Sequence, residues 1–181
     1  MKEISLHILD IIENSISAKA TIIKLRIFED IKNNLLTVMI EDNGKGMSKE
    51  MLSIVLDPFV TSRTTRRVGL GLSLTKQAAN QCDGDLVIDS KENEGTNVLI
   101  TFQYDHIDRA PIGNMADTIV SMIIANENID YEYIHKLNDK EFIFSTKEIK
   151  ESLAGVSITE VDIIAWVKEF VEEGIENLYN D

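Results

Sequence analysis

Asp42-Asn43-Gly44-Lys45-Gly46 carries a carboxylate, an amide and two glycines within five residues, directly after the apolar run Leu35-Leu36-Thr37-Val38-Met39-Ile40. An ionised carboxylate only accepts hydrogen bonds. At the inner end of a buried strand, it would hold a flat ligand with an exocyclic amine and reject one with an oxygen at that edge. Adenine has such an amine; guanine presents an acceptor there. A buried polar group left unpaired makes such discrimination strong. The glycines would let the backbone close on the ring. Asn43-Gly44 is equally the sequence of a tight hairpin, but Ser48-Lys49-Glu50-Met51-Leu52 reads as a capped helical turn, not a returning strand.

A second set lies upstream. At ~100° per residue, His7, Asp10, Asn14 and Ser17 form one polar stripe on a helix, with Asp10 and Asn14 one turn apart. An Asn carbonyl oxygen suits Mg²⁺, and a carboxylate one turn earlier can orient a water or take a proton. The same stripe also reads as the solvated flank of an amphipathic helix, with His7 a packed or exposed helix residue. A third set is Asp57-Pro58-Phe59-Val60-Thr61-Ser62-Arg63 followed by Thr64-Thr65-Arg66-Arg67, the local concentration of arginine in an acidic chain. It suits a polyphosphate or a solvent-exposed loop. In Val68-Gly69-Leu70-Gly71-Leu72-Ser73-Leu74, glycines precede a helix, where bare backbone N–H groups and the helix dipole attract anions; packing glycines are the plainer reading.

The positioning elements follow from periodicity. Residues 3–18 read as a helix with Ile4, Ile8, Ile11 and Ile12 on one apolar face and Leu9 and Ile16 at its edge. Residues 21–28 and 35–40 read as antiparallel strands, 49–55 as a short helix, a further helix ends near Gln81, and 85–90 and 96–104 read as strands. Beyond Arg109-Ala110-Pro111-Ile112-Gly113, Asn114 and Asp117 start a helix over roughly 115–126. A hairpin turns at Leu137-Asn138-Asp139-Lys140, residues 146–153 are helical, and Thr159 caps a last helix to about Leu178. Ile163, Ile164, Trp166, Val167, Phe170 and Val171 give that helix an apolar surface for packing or for a partner.

The 181 residues carry a net charge of −13, with 12 basic and 16 acidic side chains in 1–108 against 6 and 15 in 109–181. Such a surface repels nucleic acid and anionic lipid, so neither is an expected partner. The single cysteine, Cys82, fits a reducing cytoplasm. No run approaches the ~20 apolar residues that span a bilayer.

Glu13-Asn14-Ser15, Asp42-x-Gly44-x-Gly46, Phe59 with its polar loop, Gly69-Leu70-Gly71-Leu72-Ser73-Leu74 and Glu94-Gly95-Thr96 occur in that order over about ninety residues. The set resembles the ATP-binding domain of the GHKL superfamily: gyrase-type topoisomerases, ninety-kilodalton heat-shock chaperones, sensor histidine kinases and MutL-type mismatch-repair ATPases. The resemblance covers residues 2–104, and the layout is similar to stand-alone bacterial ATP-binding or histidine-kinase-like members. It implies a two-layer α/β sandwich, the Bergerat fold, with helices on one face of a mixed sheet, as a domain of residues 1–107, and a small acidic α+β appendage over 108–181.

The resemblance also implies ATP and Mg²⁺ as cofactors. Carried over by position, Asn14 would ligate Mg²⁺ and Asp42 would pair with the adenine amine. Gly44 and Gly46 would shape the base pocket with Met47 beside them, and Thr96 would reach adenine directly or through water. Phe59 would anchor a mobile lid holding Arg63, Arg66 and Arg67. Gly69, Leu70, Gly71, Leu72 and Ser73 would present backbone to the phosphates. Asp10 stands where hydrolysing members carry their general base. The stretch Glu13 to Ala20 is nearer the mismatch-repair branch, and Asp57 to Lys76 nearer the kinases. No helical phosphoacceptor region precedes the ATP-site helix, so the expectation is a phosphotransferase acting on a partner protein. A slow ATPase switch and a non-catalytic adenine-nucleotide sensor are the alternatives, and a homodimer is allowed. There is no Walker-type Gly-x4-Gly-Lys-Ser/Thr and no protein-kinase signature.

Overall fold

The computed structural model describes residues 2–56 and 71–180. The expected lid residues Phe59, Arg63, Arg66, Arg67, Gly69 and Leu70 lie outside them. In chain order the elements are α1 (Ile4–Ser17), β1 (Ile22–Asp30), β2 (Leu35–Asp42), α2 (Lys49–Ile54), α3 (Gly71–Gln81), β3 (Leu86–Lys91) and β4 (Gly95–Gln103). They continue with α4 (Met115–Ala125), β5 (Asp130–Leu137), β6 (Lys140–Ser145), α5 (Thr146–Ser152) and α6 (Val161–Tyr179).

One mixed sheet of six strands runs in the order β3-β4-β2-β1-β5-β6. The β5 strand pairs with β1 in parallel, while the other four pairings are antiparallel. The C-terminal region therefore extends the sheet of the N-terminal region beyond β1.

Alternation explains the layering. Ile23, Leu25 and Ile27 of β1, Leu36, Val38 and Ile40 of β2, and Val98, Ile100 and Phe102 of β4 are buried on one face. There α1 packs on β2 and against α3 and α4, and α4 packs against α6. The apolar face expected of α1 is the buried one: Ile4, Ile8, Ile11 and Ile12 are each at most 2% exposed. The other face carries partly exposed charges tied across strands, Arg26 to Glu41 at 3.2 Å and Lys24 to Glu132 at 3.8 Å.

The expected caps fared differently. Asn114 Oδ1 accepts from the Asp117 N–H at 3.0 Å and caps α4 as its side chain predicts. Thr159 does not cap α6. The helix begins one residue later, with Glu160 at the cap and no side-chain bond there. The Thr159 hydroxyl is instead engaged by Ser157 at 2.7 Å and by Glu127 at 3.2 Å. A local signal has been overruled by the loop after α4.

Candidate functional site

Asp42 ends β2 on the buried face, 8% exposed. The register pairs it with Thr96 of β4 and, on its other side, with Ile23 of β1. Ser15 of α1 donates its hydroxyl to Asp42 Oδ2 at 2.6 Å, and the Gly44 N–H donates to Oδ1 at 2.8 Å. Each oxygen thus has one bond and room for another. The carboxylate faces a cavity of about 420 Å³ between α1, β2, β4 and α3. Its walls include Ile11, Asn14, Ser15, Ser17, Ala18, Lys45, Gly46, Met47, Met51, Leu72, Thr96 and Val98. Largely apolar walls with a few convergent polar groups are the make-up of a small-molecule site. A second depression of similar size lies around Lys24, Glu41, Asp89 and Asn97 on the open face of the sheet. Its charged walls lack the apolar slot that a ring would fill.

The loop after β2 is held by backbone, not by strand pairing, so the Asn43-Gly44 hairpin is not formed. Asn43 Oδ1 accepts from the Thr21 and Ile22 N–H groups at 2.8 and 2.9 Å. The Lys45 N–H donates to Ala18 O at 2.9 Å, and Lys45 O accepts from the Asn93 N–H at 2.7 Å. Gly46 has a φ of +63°, and a Cβ there would lie 1.9 Å from Lys91 O. Only glycine fits that approach. Behind the loop, Ser90 Oγ accepts from the Met47 N–H at 2.9 Å and contacts Thr96 Oγ1 at 2.9 Å.

The stripe on α1 turns toward the cavity and α3, not toward water. Asn14 and Ser17 line the cavity. Asp10 is partly buried and packs on Gly71, where an added Cβ would lie 3.2 Å from Asp10 Oδ2. Gly71, Leu72 and Ser73 form the first described turn of α3, all three buried. His7 is 4% exposed and outside the cavity. Its Nδ1 lies 2.8 Å from Thr75 Oγ1, which itself donates to Gly71 O at 2.7 Å. The imidazole must therefore donate from Nδ1, as a neutral ring can. Burial holds His7 below its ordinary value of 6.5. His7 is thus a packed helix residue that braces α1 against α3.

Asp10, Asn14, Asp42, Gly44, Gly46, Met47, Gly71, Leu72, Ser73 and Thr96 come together around or beside this cavity, from segments up to 86 positions apart in the sequence. Sequence reasoning missed two partners. Ser15 was legible as a polar residue at the i+4 and i+7 position from Ile11 and Ile8, in the middle of a buried face. Ser90 left no such signal; only the β3–β4 register places it beside Thr96. Lys45, a cation on the cavity wall, was also given no role.

The comparisons agree with this geometry. The family described as histidine kinase-, DNA gyrase B-, and HSP90-like ATPases matches residues 2–106. A non-motile and phage-resistance protein of Caulobacter vibrioides is 32% identical over 111 residues, 56% of this chain and 13% of that one. Sporulation kinase D of Bacillus subtilis is 34% identical over 94 residues, 52% of this chain and 18% of that one. The chain thus spans less than a fifth of these relatives. Among solved structures, the MutL ATPase domain of Aquifex aeolicus complexed with ADP shares the fold, with a TM-score of 0.50 and 14% identity over 85% of this chain and 70% of that one. The chain belongs to the family of histidine kinase-, DNA gyrase B-, and HSP90-like ATPases, whose domain forms its residues 2–106.

Proposed function

We propose that the chain binds Mg²⁺-ATP in the α1–β2–α3 cavity and transfers the terminal phosphoryl group to a Ser, Thr or His of a partner protein. The observation that carries the nucleotide assignment is Asp42, a buried carboxylate with free lone pairs facing a mostly apolar cavity of about 420 Å³. The residues fit the ligand. Asp42 accepts from the adenine amine, Thr96 offers a hydroxyl next to it, and Gly44, Gly46 and Met47 shape the wall. Asn14 offers the carbonyl oxygen for Mg²⁺, an ion that commonly takes few protein ligands beside phosphates and water. The first turn of α3 offers backbone to the phosphates, and the lid arginines Arg63, Arg66 and Arg67 add charge. Bound Mg²⁺-ATP supplies the phosphoryl group; the protein contributes position and electrostatics.

Transfer to a partner is supported by the named kinase among the relatives and by the placement of this chain's own histidines. His7 and His135 are buried and hydrogen-bonded, and His106 lies beside Asp83, away from the cavity. None lines the cavity as an acceptor. A slow ATPase is the second reading, favoured by Asp10 lying against Gly71 at the first described turn of α3.

Calorimetry with ATP and GTP, with and without Mg²⁺, tests binding. ATP-selective binding strengthened by Mg²⁺ is expected; equal affinity for GTP would contradict the role of Asp42. Incubation with labelled ATP and the proteins encoded beside it is expected to label one of them. Phosphate release abolished by Asp10→Ala, with no labelled protein, would replace transfer by hydrolysis.

A further inference from the structure

The last helix carries a surface that the nucleotide site does not use. On α6, Asp162, Trp166, Glu169, Phe170 and Glu173 fall at i, i+4, i+7, i+8 and i+11, one stripe along the helix. Trp166 and Phe170 stack at 5.2 Å with an interplanar angle of 19°, yet they remain 49% and 41% exposed. The three carboxylates of the stripe are all exposed. The helix beneath is firmly seated. Val167 and Val171 are fully buried, and Gly174 admits the Phe142 ring so closely that a Cβ would lie 2.1 Å from it. Phe170 also leans on Phe142 and Phe144 of β6, the last strand in the sheet order. An aromatic pair on a rigid support at a sheet edge is thus left open to water.

Charge decides what fits. The α6 helix holds five acidic residues and one basic residue, Lys168. Lys168 points to α4, 2.7 Å from Asp117, and lies 3.8 Å from Glu172, so it does not neutralise the stripe. A second copy would bring the same three carboxylates against Asp162, Glu169 and Glu173, and like charges across an interface oppose association. Aromatic anchors ringed by uniform charge suit a partner of opposite sign. We propose that the α6 stripe docks a basic amphipathic segment of another protein, an apolar side chain covering Trp166–Phe170 and Lys or Arg residues pairing with Asp162, Glu169 and Glu173. This surface is independent of the nucleotide reading, and its test needs no ATP.

Trp166 is the sole tryptophan, so its emission reports the patch directly. The full chain would be titrated with an amphipathic Leu/Lys peptide of about 18 residues, five helical turns. Leu/Glu and Lys/Ser peptides of the same length serve as comparators. Saturable displacement of the emission to shorter wavelength is expected with the Leu/Lys peptide alone. Glu169→Lys/Glu173→Lys should raise its midpoint about tenfold, and Glu169→Gln/Glu173→Gln about threefold. Glu92→Lys/Glu94→Lys, the same charge change at the far edge of the sheet, should move it less than about twofold. Absence of a shift, a shift with Leu/Glu, or equal effects of the two Lys pairs would overturn the proposal. So would a dimer in sedimentation whose formation itself blue-shifts Trp166, since a second copy would then be the occupant.

Discussion

Two carboxylates are buried on the helix-covered face of neighbouring strands, at opposite ends of the same antiparallel pair. Asp42 ends β2 and Glu29 stands near the end of β1, 8% and 3% exposed. Both continue an alternation of inward Ile, Leu and Val, and both accept hydrogen bonds from other elements. Glu29 is sealed. His135 Nε2 lies 2.7 Å from its Oε1, Tyr179 of α6 donates to the same oxygen, and Tyr133 lies 2.8 Å from the other imidazole nitrogen. That network joins β1, β5 and α6, and thus fastens the C-terminal region to the ATPase domain. Asp42 has partners only from its own domain and opens onto the cavity. The contrast teaches that burial does not mark a carboxylate as functional; spare lone pairs facing a cavity do.

The sharpest way to break the comparison is Asp42→Asn. The side chain keeps its size but turns a donor toward the adenine amine or toward Ser15, so ATP affinity should fall about 100-fold, ~3 kcal/mol, by calorimetry. A change below threefold would remove Asp42 from the site.

Glu29→Gln should do the converse. It leaves donors of the His135 network mispaired, so denaturant unfolding should show a loss of about 2–3 kcal/mol. ATP affinity should stay within about twofold, since no bond joins the two clusters; a tenfold change would merge the two regions functionally. A pH series refines this. Burial alone would raise the Glu29 carboxyl, but hydrogen bonds from His135 and Tyr179 outweigh it and hold the group below its ordinary value of 4.5. The stabilisation it provides is therefore complete above pH 4.5 and lost as the pH falls through the lower folded value. Glu29→Gln should flatten the stability curve in that acid range alone.

Gly46→Ala asks how far the Asp42 side depends on backbone shape. A left-handed φ and a carbonyl in the way should cost about 2 kcal/mol in stability and weaken ATP by a similar factor. Ser15→Ala is the mildest. It removes one hydrogen bond to a carboxylate that keeps the Gly44 N–H, for about a fivefold loss of affinity, ~1 kcal/mol. An unchanged affinity would mean that Ser15 only fills the core.

The first 104 residues were the more legible part because their local signals agree with their tertiary roles. The apolar period of α1, the alternation of β1 and β2 and the ordered glycine-and-carboxylate boxes all point the same way. The α1 polar stripe was ambiguous because periodicity gives a direction around the helix but not what lies there. Tertiary packing put α3 and the cavity against it. Thr159 failed for the opposite reason: a residue with good capping chemistry was taken by Glu127, a side chain 32 positions away.

The sequence alone determined the element order, the inward faces of strands and helices, and the chemistry of Asp42, Asn14 and Thr96, since these depend on residue type and short-range period. It also determined that the acid excess lies in the C-terminal region. Only the tertiary structure decided that this region continues the sheet through a parallel β1–β5 pairing, because pairing between distant strands leaves no local trace. The same holds for Ser15 and Thr96 meeting at Asp42, for His7 turning to Thr75, and for Glu29 being sealed while Asp42 stays open. Each depends on which surfaces from distant segments come within hydrogen-bond range, and the sheet register sets that.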